Sequence, residues 1–150
     1  MSNNSNKKKY TEEEKNEYIR KMRELREQIF AIIFEMSFSE DSYEDILDNA
    51  VESRMIVAEN YMIDVLKYYS ENNEKVDEVI KANIKGWTID RLSRTTLSVL
   101  RLAVSEINAT KTGKSIVINE AVEITKKYAT PKEAAFVNGV LGSIFNSKSK

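Results

Sequence analysis

Apolar residues recur every three or four positions through most of the chain, and the points where that recurrence lapses divide it into helical segments. Between Thr11 and about Met36, the residues Tyr18, Met22, Leu25, Ile29, Ile32 and Met36 follow alternating four- and three-residue steps, which predicts one buried seam. Thr11 followed by Glu14 has capping-box spacing and opens that helix. Ser39 to Ser42 is a polar connection, and Tyr43 to about Arg54 predicts a short acidic helix. A longer helical pattern runs from about Val57 to Ile84, weakened at Glu71-Asn72-Asn73-Glu74, where a kink or break is expected. Gly86-Trp87-Thr88 ends that region; Thr88 or Asp90 can cap the next turn, and Trp87 reads as a plug between helix layers.

The segment that follows, through about Asn108, is the most apolar. Leu97, Val99, Leu100, Leu102, Ala103, Val104 and Ile107 cover more than half of its circumference, so it should be central, with neighbours on several sides. Arg94, Ser98, Arg101 and Ser105 share the remaining strip. Glu106 falls inside the apolar arc, a costly place for a carboxylate, and a structural ion pair is expected there. After a turn around Gly113, Ser115 can cap a helix from about Ile116 to Tyr128. In that helix Val117, Ala121, Ile124 and Tyr128 form a core face, with Asn119, Glu123 and Lys126 opposite. Thr130-Pro131 starts a last helix that buries Val137, Leu141 and Ile144, carries Phe136 at the edge of that face, and has Gly139 and Gly142 on one side where another helix can come close.

Composition narrows the class. With one Pro, four Gly and no alternating apolar pattern in 150 residues, the chain is expected to be all-α and to form one domain, at 11–146, between polar tails at 1–10 and 147–150 that are expected to be disordered. The absence of Cys and His excludes disulfides, thiolate chemistry, the usual zinc sites and His-dependent general bases. No catalytic residue, metal site or cofactor is predicted, and the carboxylates of the middle region read as a solvated face. The apolar runs are too short for a bilayer, which makes a soluble cytoplasmic protein the expectation. A net charge of -1 conceals a division: residues 1–26 carry +3, 27–39 carry -2, 40–90 carry -8, and 91–150 carry +6. If the basic ends pack together they make a positive face suited to a polyanion.

Trp87 to Leu102, WTIDRLSRTTLSVLRL, and INEAVEITKKYA and FVNGVL between Ile118 and Leu141, resemble the NusB family of bacterial transcription antitermination factors. Arg26-Glu27 followed by Ile32-Ile33-Phe34 resembles the family's first-helix pattern, so the likeness spans about residues 20 to 145. The resemblance implies about seven helices in two packed small bundles. It also implies binding to single-stranded boxA-like RNA of nascent ribosomal transcripts, together with the small-subunit ribosomal protein NusE, within the RNA polymerase antitermination complex. Family positions for RNA contact match Arg23 and Arg26, with Arg20 and Lys21 as neighbours, and Phe136; Phe34 and Thr96 match positions facing NusE. Arg101 could add a cation and Asn119 an amide for the bases. The sequence departs from the family where Met22 and Glu24 interrupt the arginine run, and where Thr96 and Lys132 replace residues that are often acidic.

Two other readings fit the same residues. One is a detached NusB-like subunit of an RNA-modifying enzyme, although the chain has no Gly-rich cofactor loop of its own. The other is a helical protein-binding module without RNA affinity, which the interrupted arginine run permits.

Overall fold

The structure, a computed structural model, describes residues 9–146. Residues 1–8 of the predicted tail at 1–10, and the predicted tail at 147–150, lie outside the described residues. Six α-helices and no strand are present among the described residues: α1 (Glu12–Met36), α2 (Tyr43–Arg54), α3 (Asn60–Lys81), α4 (Arg94–Ala109), α5 (Lys114–Tyr128) and α6 (Pro131–Asn146). A 3-10 turn, Ile89–Arg91, precedes α4. α3 is kinked where Asn72 leaves helical geometry (φ -127°, ψ 21°), inside the interval where the apolar period weakens. The Asn72 side-chain amide donates to the Tyr68 carbonyl at 3.0 Å, so the bend satisfies a backbone acceptor instead of stranding it.

Local signals set most of the helix ends. Thr11 Oγ1 accepts from the Glu14 N–H at 3.0 Å and the Glu14 carboxylate accepts from the Thr11 N–H at 2.9 Å, the predicted capping box. Ser42 caps α2 through the Asp45 N–H, and Thr130 caps α6 through the Glu133 N–H, each with an oxygen in reach of an orphan donor. Thr88 stands at the N-cap position of the 3-10 turn, without a side-chain cap bond, and Ser93 caps α4. One expected cap is different: α5 begins at Lys114 behind Gly113, so Ser115 is already helical.

α4 is the axle. It packs against four of the other five helices, α1, α3, α5 and α6. Val99 and Leu100 are fully buried, and Leu97, Leu102, Ala103 and Val104 are nearly so. Truncating Leu100 to Ala would cost about 2–5 kcal/mol through lost burial and the cavity left behind. Glu106 is in this interior, as its apolar setting required. Its carboxylate accepts from Arg26 Nε at 2.7 Å and from the Tyr61 hydroxyl, and that hydroxyl also meets Thr112 Oγ1 at 2.7 Å. Burial, then the bond to Glu106, raises the Tyr61 pKa, which keeps the phenol protonated as a donor.

Several predicted positions are corrected. Tyr18, placed on the α1 seam, is 66% exposed because the seam outruns the helices that cover it, and Tyr128 is 48% exposed beyond the core face of α5. Ser98 and Ser105 are fully buried and their hydroxyls have no hydrogen-bond partner among the described residues, so of the polar strip of α4 only Arg94 is exposed. No helix approaches Gly139 or Gly142: a Cβ at Gly139 would meet nothing within 4 Å, and one at Gly142 only the Asn146 side chain.

Candidate nucleic-acid interface

Long side chains join the polar faces of α1 and α5 through charge pairs. Arg23 Nε donates to both Glu120 oxygens, at 3.0 and 3.2 Å, and Lys127 Nζ to both Glu27 oxygens, at 2.9 and 3.1 Å. The Tyr128 hydroxyl adds a third bond to Glu27 at 2.7 Å. Burial works against the Glu27 charge, but the bonds from Tyr128 and Lys127 outweigh it and its pKa is lowered. Arg20 is held by Glu17 one turn away, and Lys126 by Glu123 at 3.5 Å. Lys21 and Asn119 are exposed on the same two helices.

The cations of these pairs lie at the surface, with side-chain exposures of 55% for Arg23 and 59% for Lys127, while their partners Glu120 and Glu27 are 12% and 27% exposed. A phosphate oxygen can therefore reach either cation from solvent without entering the interior, at a lower cost than for a fully buried pair. The face therefore offers cations that can be exchanged to a polyanion, although the helices' own carboxylates partly neutralise it.

Two predicted RNA contacts are elsewhere. Arg26, expected at the margin of the α1 seam, is only 5% exposed and is committed to Glu106, with Glu120 a second carboxylate at 4.0 Å. Its guanidinium loses water on burial, but Glu106 and then Tyr61 restore the charge and its pKa is raised. Arg101 points into the α3–α4 contact, donating through Nε and Nη2 to Asp77 at 2.9 Å each and lying over the Tyr69 ring. A phosphate would have to break these shielded pairs, a much larger cost than at Arg23.

Phe136 is half-buried at the start of α6, edge-to-face with Trp87 at 6.2 Å between ring centroids. Trp87 is 52% exposed, so it is not the interlayer plug predicted. Thr96 is buried, and its hydroxyl donates to Glu133 at 2.9 Å. Phe34 belongs to an aromatic row: Tyr128 and Phe34 flank Phe30, Phe38 follows at 5.1 Å from Phe34, and the Arg94 guanidinium sits 4.3 Å from the Phe38 centroid. Sequence reasoning missed this row, although Phe30, Phe34 and Phe38 share i, i+4 spacing. Among the described residues no group of three or more Asp or Glu could hold a metal ion, and no helix is long and apolar enough to cross a membrane.

Comparison with known proteins agrees with this architecture. The family model of the NusB family matches residues 23–146. The transcription antitermination protein NusB of Natranaerobius thermophilus is 37% identical over 134 residues, covering 85% of this chain and 96% of its own. That of Clostridium botulinum (strain Kyoto / Type A2) is 35% identical over 139 residues, covering 81% and 97%. A crystal structure of antitermination factors NusB and NusE in complex with double-stranded RNA superposes with a TM-score of 0.76 at 26% identity, covering 85% of this chain and 98% of that one.

Proposed function

The chain belongs to the NusB family, and on that premise we propose that it binds a boxA-like single-stranded segment of nascent ribosomal RNA together with NusE, as a non-enzymatic cytoplasmic component of the RNA polymerase antitermination complex. The observation that carries this reading is the α1–α5 face, where Arg20, Arg23, Lys126 and Lys127 are exposed to solvent, Arg20 and Lys126 on surface carboxylates and Arg23 and Lys127 at the outer edge of the more buried Glu120 and Glu27. Lys21 extends the cationic row, Asn119 offers an amide, and Phe136 a ring for a base. The aromatic row through Phe34 is the surface we assign to NusE. Thr96, being buried, acts on that contact only through Glu133.

The test is a titration of labelled boxA RNA, of a scrambled strand and of a duplex, each with and without NusE. Binding should weaken with salt with a log-log slope of about 0.7 per phosphate neutralised, and Arg23→Ala should lower both affinity and slope. Equal affinity for the scrambled strand would remove the specific claim. One observation favours a second reading, a protein-binding module without RNA affinity: nearly every cation on the face already has a carboxylate. NusE binding with no RNA shift at low salt would establish it in place of the first.

A further inference from the structure

Trp87 is the only tryptophan of the chain, and it stands with about half of its surface in solvent on the loop between α3 and the 3-10 turn. Burying a ring of this size is favourable, and here the exposed ring adjoins a second ring at the mouth of a cleft, which gives an occupant an apolar surface to cover. The cleft beside it has a volume of about 310 Å³, at the small end of the range for small-molecule sites, and Leu92 and Phe136 complete its apolar wall. Because the Trp87 and Phe136 rings meet at 67°, they form a corner with two π surfaces rather than a closed stack.

The rim decides what fits. Arg91 and Lys132 are exposed at the cleft, and neither forms an ion pair among the described residues. The one carboxylate lining it, Glu133, is already engaged by the hydroxyls of Ser93 at 2.7 Å, Thr96 at 2.9 Å and Thr130 at 3.1 Å. An apolar corner with a cationic rim suits a ligand that is planar on one side and anionic on the other; a basic protein would meet like charge. The cleft also continues the charged face. α5 carries Lys126 and Lys127 in its last turn, and the chain passes through Thr130 directly into α6, whose first two turns present Lys132 and Phe136.

We infer that the Trp87–Phe136 corner is a nucleobase-stacking subsite, with Arg91 and Lys132 binding the adjacent phosphates of a single-stranded RNA that runs on from the α1–α5 face. The inference rests on the RNA-binding reading above and adds Trp87, Arg91 and Lys132 to it. Stacking needs no base-specific hydrogen bonds, so the subsite fixes the path of the strand more than its sequence.

The sole tryptophan gives a direct readout. Titrating the full chain with an unlabelled single-stranded RNA oligonucleotide should quench Trp87 fluorescence along the same isotherm as the anisotropy of a labelled copy. Trp87→Ala should weaken binding by roughly 5- to 150-fold, the range for losing one stacked base, and Trp87→Phe should recover part of it. Arg91→Ala with Lys132→Ala should lower the salt slope by about 1.4, two phosphates' worth. An oligonucleotide of abasic sites on the unaltered protein should still bind, with an Arg23-dependent slope, but leave Trp87 unquenched. That arm does not depend on any variant folding. RNA binding with unchanged Trp87 emission, and undiminished in Trp87→Phe and Trp87→Ala, overturns the subsite and leaves the RNA reading standing. If no RNA binds at low salt, both fail. Quenching by NusE alone, with none by RNA, makes the corner a protein contact and overturns the inference as well.

Discussion

Arg23 and Arg26 are one turn apart on α1, and both reach toward Glu120, yet they belong to different parts of the protein. Arg23 is more than half exposed and exchanges with solvent. Arg26 is closed into the interior with Glu106, Tyr61, Thr110 and Thr112, tying α1, α3, α4 and the α4–α5 turn together. A shift of one helical turn position changes a solvent-exposed cation into a structural one. Burial, and not residue type, decides which guanidinium an outside anion could reach, because the exposed one leaves its carboxylate at lower cost.

The sharpest way to break this comparison is Arg26→Ala. It leaves Glu106 buried with its main partner gone, and an unfolding midpoint in urea should report a loss of about 3–5 kcal/mol. Arg26→Met with Glu106→Leu, which removes both charges and keeps the volume, should recover most of that loss. A cost below about 1 kcal/mol for Arg26→Ala would mean that the pair is solvated after all and equivalent to Arg23–Glu120.

Tyr61→Phe comes next. It deletes a hydroxyl that donates to Glu106 and meets Thr112, while Arg26 still compensates the charge, so about 1–3 kcal/mol should be lost in the same assay. RNA affinity, measured under conditions where the variant is folded, should stay unchanged, since nothing in this cluster reaches the surface cations except through Glu120.

How much of this was legible in the sequence follows from how local each cause is. Thr11-Glu14 and Thr130-Pro131 gave correct helix starts because cap and helix are neighbours in the chain. Asn72 bends α3 where the apolar period itself weakens. The centrality of α4 was readable from the width of its apolar arc, and Glu106 inside that arc announced an ion pair. The identity of its partner was not readable, since Arg26 is 80 residues away and an arginine at the margin of a seam ordinarily faces water. Arg101 was misplaced for the same reason: Asp77 is supplied by another helix. Trp87 was read as buried because large rings usually are; its exposure depends on how the 3-10 turn leaves α3, which no residue pattern encodes.

The surface half of the comparison predicts smaller effects with opposite signs. Arg23→Ala should change stability by no more than about 1 kcal/mol, since its side chain is more than half exposed, and Glu120→Asn, whose carboxylate is 12% exposed, by less than Arg26→Ala. On the proposed RNA reading they diverge: the first removes a phosphate contact, and the second releases Arg23 and should tighten RNA binding by up to about fivefold. Affinities measured side by side at one salt concentration check this, and weaker binding by Glu120→Asn would show that the carboxylate orients Arg23 instead of competing for it.

The smallest effect is expected at Glu133, where α4 and α6 begin together beside the Trp87–Phe136 corner. Hydroxyls of Ser93 and Thr96 stabilise its carboxylate; burial opposes them, Thr130 adds to them, and its pKa is lowered from the ordinary 4.5. A depressed carboxyl contributes stability that is fully present above its unfolded pKa and is lost as pH falls through the folded one. The stability difference between the unaltered protein and Glu133→Gln should therefore be constant near neutrality, then shrink below the ordinary carboxylate pKa of about 4.3. Urea midpoints of both proteins from about pH 6 to about pH 3 measure it. A difference that does not change across that window would mean the three hydroxyls hold the neutral and charged forms equally, and that the corner is fixed by packing of Leu92 and Phe136 instead of by the Glu133 charge.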